Sequence, residues 1–225
     1  MRLFLRADPP SWWATFQERW AAYCAECKGG ERKPASTRLN SWKQDGETIA
    51  RQFHSLVRPD VLREVCAYCD GPLREQSPPT IDHFLPDHQY PELAFDWGNL
   101  YPACYVCNST HKGARCVPTA ARPDLDPVDA WFEIDAETGT IGLAVEYRDD
   151  ASASGKVADA IDLFGLNKSG RPEGRKRIVR QVWKAIVAND REELEALRRE
   201  GVYVFVIDAV IRASRATKSA DPSTK

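Results

Sequence analysis

Residues 66–112 read CAYCDGPLREQSPPTIDHFLPDHQYPELAFDWGNLYPACYVCNSTHK. Two CxxC pairs, Cys66/Cys69 and Cys104/Cys107, bracket an Asp82-His83 dipeptide, an Asn at Asn99, and an Asn-x-x-His-Lys run from Asn108 to Lys112. Four thiolates in two such pairs satisfy tetrahedral Zn²⁺, and a site with four protein ligands has no open position for a reacting water. The cysteines are therefore expected to be structural, holding a segment too short to hold itself. The spacer between the pairs is longer than a simple zinc ribbon needs, which leaves room for chemistry inside it.

Working outward, Thr80 to Leu85 is expected to form a short strand. Alternation puts Ile81, His83 and Leu85 on one face and Asp82 and Phe84 on the other, and a strand end or bulge would be needed for Asp82 and His83 to serve one centre. Pro86 ends the strand, and Phe95-Asp96-Trp97 leads to Asn99. After the second knuckle, Asn108 to Lys112 should open a helix that presents Asn108 and either His111 or Lys112 on a common face.

This arrangement resembles the HNH endonucleases with the ββα-metal fold. The carrying residues are CAYC at 66–69, IDHF at 81–84, YPELAFDWGNL at 90–100 and CNSTHKG at 107–113. Within that class it is most similar to the HNH nuclease of Septu and related retron anti-phage systems. The resemblance is looser downstream, through LDP at 125–127, FEIDAETGTI, and AIDLFGLN at 160–167. It implies Mg²⁺-dependent cleavage of phage or plasmid DNA, with Mn²⁺ able to substitute, and an ATPase partner in a defence complex. The chain carries no GxxxxGK[ST] loop of its own.

Phosphodiester hydrolysis needs an activated water and stabilised charge on the phosphate and the leaving oxygen. His83 suits the first task, since imidazole exchanges protons near neutral pH. Asp82 and Asn108 offer the hard oxygens Mg²⁺ prefers. Asn99 is better suited to orienting, bonding backbone across the loop to hold the His83 strand. The resemblance gives the same roles, so His83, Asn99 and Asn108 are the expected catalytic residues. The familiar pattern has Lys three residues after the Asn; here that position is His111, so the expected helix ligand is Asn108 by its match to the motif, with His111 as the alternative or a second ligand. The expected metal set is Asp82, Asn108 and His111 for Mg²⁺, and Cys66, Cys69, Cys104 and Cys107 for Zn²⁺. The competing reading is a non-catalytic, zinc-stabilised module that binds nucleic acid or protein.

With 225 residues and 43% hydrophobic content, the chain is long enough for one substantial core. A formal charge of -2 confines any DNA attraction to local patches. Seven cysteines, no apolar leader beyond Leu3-Phe4-Leu5 and no membrane-length apolar run lead us to expect a cytoplasmic protein without disulfides. The expected class is α+β: a helical region over 1–58, a zinc-stapled ββα core over 59–118, and a hairpin with helices over 119–225.

In the first region, a helix over 11–27 with Ser11 as its cap carries Trp12, Phe16, Trp20, Tyr23 and a third CxxC, Cys24/Cys27, read as packing. Residues 28–43 carry a net charge of +4, a linker or a phosphate contact. Helices are expected over 47–57 and 60–65. In the last region, 121–150 carries a net charge of -7 and should turn away from DNA. A hairpin is expected there at 131–134 and 140–145. Helices follow over 156–166, 175–188, 191–199 and, on weaker pattern, 202–211, and order is expected to end near Ser214. Residues 171–184 carry a net charge of +5, a solvated face or a track for a phosphate backbone.

Overall fold

The computed structural model describes residues 1–28, 43–44, 46–58, 64–73 and 79–219. Helix α1 (Trp13–Lys28) is followed by a minimal antiparallel pair, β1 (Lys43–Gln44) and β2 (Glu47–Thr48), that runs into α2 (Ile49–Val57). Next come β3 (Pro79–His83), β4 (Leu100–Cys104) and a seven-residue π-helix (Val106–Lys112). The rest is α3 (Val128–Trp131), the hairpin β5 (Phe132–Ile134) and β6 (Ile141–Leu143), then α4 (Ala151–Leu163), α5 (Arg171–Val187), α6 (Arg191–Arg199) and α7 (Val204–Ser219). The class is α+β, with a ββ-helix unit set among mainly helical surroundings.

Strands of five residues in a two-stranded sheet are marginal alone, so β3 and β4 depend on what covers them. From the N-terminal side, Trp13 meets Trp97 edge-on with ring centroids 4.8 Å apart, Phe53 meets Trp97 at 5.3 Å, and Phe16 stacks on Phe95. From the C-terminal side, Phe164 stacks on Tyr68 at 3.7 Å. Arg6 Nη1 donates to the carbonyls of Trp97 and Leu100, 2.7 Å each, and its Nε to Asp124. One hydrophobic core thus runs through all three stretches of the chain.

Several bounds differ from the sequence expectation for local reasons. Helix α1 begins at Trp13 rather than Ser11, and its buried stripe is Trp13, Phe16, Trp20 and Cys24. Glu47–Thr48 pairs as strand before α2 begins. Residues 59–63 lie outside the described residues, and so do 29–42 of the basic stretch, while Val65 bridges to Pro72. Helix α4 starts five residues earlier than Lys156, because the Asp150 carboxylate caps the amides of Ser152 and Ala153. Helix α5 starts at Arg171, with Pro in its first turn after left-handed Gly170. Helix α7 continues to Ser219, past the expected end of order, and buries Ser214. Of the basic residues counted along 171–184, Arg171 and Arg175 are buried, so the outward charge of α5 is smaller than its sequence suggests. Among the described residues no helix is long and apolar enough to cross a membrane.

Candidate active site and metal centre

The chain between Val65 and Leu73 folds back on itself, with the amide of Cys66 donating to the carbonyl of Gly71 and that of Asp70 to Cys66. Asp70 takes the left-handed conformation that closes this knuckle (φ 58°). β4 delivers Cys104 and the π-helix Cys107. All four Sγ atoms are buried and lie within 4.8 Å of one another, and Cys69 and Cys104 are 3.9 Å apart. A regular tetrahedron with Zn–S bonds of about 2.3 Å requires S···S edges of about 3.8 Å. The donors therefore fit Zn²⁺. Burial pushes the Cys66 and Cys107 thiols well up, whereas S–H bonds from Cys107, Cys66 and Cys69 push Cys104 far down. Four thiolates in this pocket need a cation.

His83 ends β3 and is half-buried. Its Nε2 lies 2.9 Å from the carbonyl oxygen of Ala94. A carbonyl oxygen only accepts, so this contact places the proton on Nε2 and the lone pair on Nδ1. The loop that supplies Ala94 is held by Asn99, whose side chain accepts from the Leu85 amide at 2.8 Å and donates to the carbonyls of Leu85 (3.0 Å) and Leu93 (3.2 Å). Asp96 caps the turn by accepting from the Asn99 amide. Asn99 is buried, and it ties the end of β3 to the segment carrying His83's acceptor.

The β3–β4 register runs unbroken from Pro79↔Cys104 to His83↔Leu100. No bulge turns Asp82 toward His83, and the two side chains leave the strand on opposite faces. Asp82 is buried, accepting from Tyr68 Oη on Oδ2 (2.6 Å) and from Lys112 Nζ on Oδ1 (2.9 Å). Lys112 also donates to the His83 carbonyl at 2.7 Å.

The π-helix explains which helix residue faces the strand. The amide of Gly113 bonds to the carbonyl of Asn108, five residues back. Such a helix takes in one more residue per turn than the α form, a feature often found at functional sites. The extra residue between Asn108 and Lys112 is absorbed here, and both side chains meet β3. Asn108 Nδ2 donates to Thr80 Oγ1 (3.0 Å) and reaches the Ile81 carbonyl (3.4 Å). His111 turns away from β3 to Ser169 Oγ, 2.8 Å, and packs on Gly165, where a Cβ would fall 2.3 Å from the imidazole. Its pKa is lowered by burial, then by the charges of Arg171, Lys168 and Arg115.

Residues 66–114 match the family model described as HNH endonuclease. These residues form an HNH domain. The Septu protein PtuB of Bacillus thuringiensis is 34% identical over 130 residues, which cover 57% of this chain and 47% of PtuB. The chain therefore spans about half the length of the curated relative it matches.

Within the HNH domain, the structure places His83 and Asn99 around one loop, and Asn108 and Lys112 along one strand. It does not bring His111 to that strand. Asp82 and Asn108 have the oxygen donors that suit a hydrated divalent ion, but Oδ1 of Asp82 already holds a cation, the ammonium of Lys112. Tyr68, Lys112 and Arg171 were not singled out as site residues from the sequence. Tyr68 and Lys112 sit within the quoted motifs, and only their burial reveals what they do. Arg171 lies far along the chain and carries no local signal.

Proposed function

We propose that this chain is a metal-dependent HNH endonuclease that hydrolyses DNA phosphodiester bonds, acting as the nuclease of a Septu-type anti-phage system beside an ATPase partner. The observation that carries the reading is the contact between His83 Nε2 and the Ala94 carbonyl. It holds the imidazole as the tautomer whose Nδ1 can take a proton from water, the general-base role worth about 10² to 10⁴ in rate. Asn99 keeps that carbonyl in place. Asp82 and Asn108 would hold a divalent ion, Mg²⁺ or Mn²⁺, which when bound would neutralise charge on the scissile phosphate and the departing oxygen; because Asp82 and the His83 imidazole leave β3 on opposite faces, serving one phosphate requires the end of that strand to turn. Entry of an ion at Asp82 requires Lys112 to give up Oδ1, after which the lysine is free to pair with phosphate. The likeness to PtuB supports the defence role, and the HNH match supports nucleic acid as the substrate.

The test is plasmid cleavage with Mg²⁺ or Mn²⁺ by wild type and His83→Ala, each alone and with the proteins encoded beside it. We expect nicking by wild type, licensed by the partner where the chain alone is silent, and none by His83→Ala at unchanged zinc content. The doubly engaged Asp82 favours one competitor, a zinc-stabilised binding module without catalysis. Wild type that stays inactive with its neighbours present would establish that reading.

A further inference from the structure

Beyond the ligands themselves, the four-cysteine centre has a charged neighbour that comes from far along the chain. Arg171 opens α5 and is buried. Its Nη2 points into the cluster, 3.2 Å from Cys107 Sγ and 3.9 Å from Cys104 Sγ, while Nη1 donates to the Gly165 carbonyl at 3.0 Å. The planar fork is thus held at one prong by backbone and aimed at two sulfurs with the other. One turn on, Arg175 is buried on the same side of α5 and is fixed by the carbonyls of Gly139 and Leu166.

A four-thiolate zinc site carries a surplus of negative charge inside a dry pocket, and buried charge needs a partner. We propose that Arg171 is a positioning residue of the metal centre: its guanidinium donates to the Cys107 and Cys104 thiolates, slows release of the metal, and makes α5 sensitive to whether the centre is filled. This rests on the zinc reading and is independent of the nuclease reading. The donated N–H offsets part of the negative charge on the sulfurs and, with its other prong tied to the Gly165 carbonyl, holds Cys107 and Cys104 at the metal position. Gly170, just before Arg171, takes the left-handed conformation (φ 71°).

The experiment uses the full zinc-loaded chain. Bound zinc is counted first; then zinc release to a chromogenic chelator is timed for wild type, Arg171→Met and Arg171→Lys. Cobalt-substituted samples give the thiolate-to-cobalt charge-transfer band as a second readout. We expect release about 10- to 100-fold faster in Arg171→Met, the range that partners of metal ligands carry, with a smaller acceleration in Arg171→Lys and a shifted cobalt band in both. Val182→Ala, which loosens the buried side of α5 without touching sulfur, should leave the band unshifted. Should Arg171→Met not fold, Arg171→Lys decides alone. Wild-type release with an unshifted band in a folded variant overturns the proposal, as does an equal band shift in Val182→Ala. Wild type that binds no metal overturns both this proposal and the zinc reading, while leaving cleavage by His83 to be judged separately.

Discussion

The ammonium of Lys112 lies 2.9 Å from Oδ1 of Asp82, with both side chains only 2% exposed. Two charges taken this far from water stabilise the fold only when each keeps its partner. The same ammonium donates to the His83 carbonyl, and Tyr68 donates to the second Asp82 oxygen, so the pair joins the π-helix, β3 and the first knuckle. The backbone of the candidate base is thereby fixed from the side opposite its imidazole.

That geometry predicts strong coupling between the two charges. Removing one partner from a buried pair costs about 3–5 kcal/mol, because the other is left uncompensated. Lys112→Met and Asp82→Asn should each lower urea-unfolding stability on that order, and the double variant should lose clearly less than the sum. Additive losses would show that the two groups do not depend on one another.

Asn99 makes three hydrogen bonds from a buried amide, and Asn99→Asp keeps only the acceptor. The carbonyls of Leu85 and Leu93 would then lose their donor and face a carboxylate, at a cost of about 1–3 kcal/mol. Because Ala94 follows Leu93, the same change should loosen the acceptor of His83. We expect cleavage by Asn99→Asp to fall further than the fraction of unfolded protein explains, with zinc content unchanged. Activity that simply tracks the folded fraction would make Asn99 structural only.

The knuckle should answer to metal removal. Zinc held by thiolates in small fingers is worth about 10–16 kcal/mol of folding free energy at neutral pH, comparable to a whole domain's stability of about 5–15 kcal/mol. Stripping it with a strong chelator should lower the thermal midpoint and change the near-ultraviolet signal of Tyr68, which lies between Cys66 and Cys69. Restoring one zinc per chain should reverse both. An unchanged midpoint would mean that the aromatic core holds the knuckle without metal.

Much of the architecture could be read from neighbouring residues. The two CxxC pairs predicted the sulfur cluster, and alternation along Ile81 to Leu85 separated Asp82 and Phe84 from Ile81, His83 and Leu85, while only the structure shows that the Asp82 and Phe84 face is the buried one. The hairpin expected at 131–134 and 140–145 forms at 132–134 and 141–143, and Arg191–Arg199 matched its expected bounds because Asp190 caps it. The misses are equally specific. The Asn108–Lys112 spacing left His111 and Lys112 as rival partners for the same face, and only the i→i+5 bond of the π-helix separated them. The basic run at the start of α5 read as surface charge, yet two of its arginines lie inside, bonded to sulfur and to main-chain carbonyls.

What the sequence by itself determined is what short-range geometry dictates: ligand spacing, strand faces and helix caps, each set within a few residues by φ/ψ and hydrogen-bonding rules. What only the tertiary structure decided is who answers each buried charge. Asp82 finds Tyr68 fourteen residues away and Lys112 thirty away, and Arg171 finds Cys107 across sixty-four. The physical reason is that burial makes such partners necessary while leaving their place along the chain free.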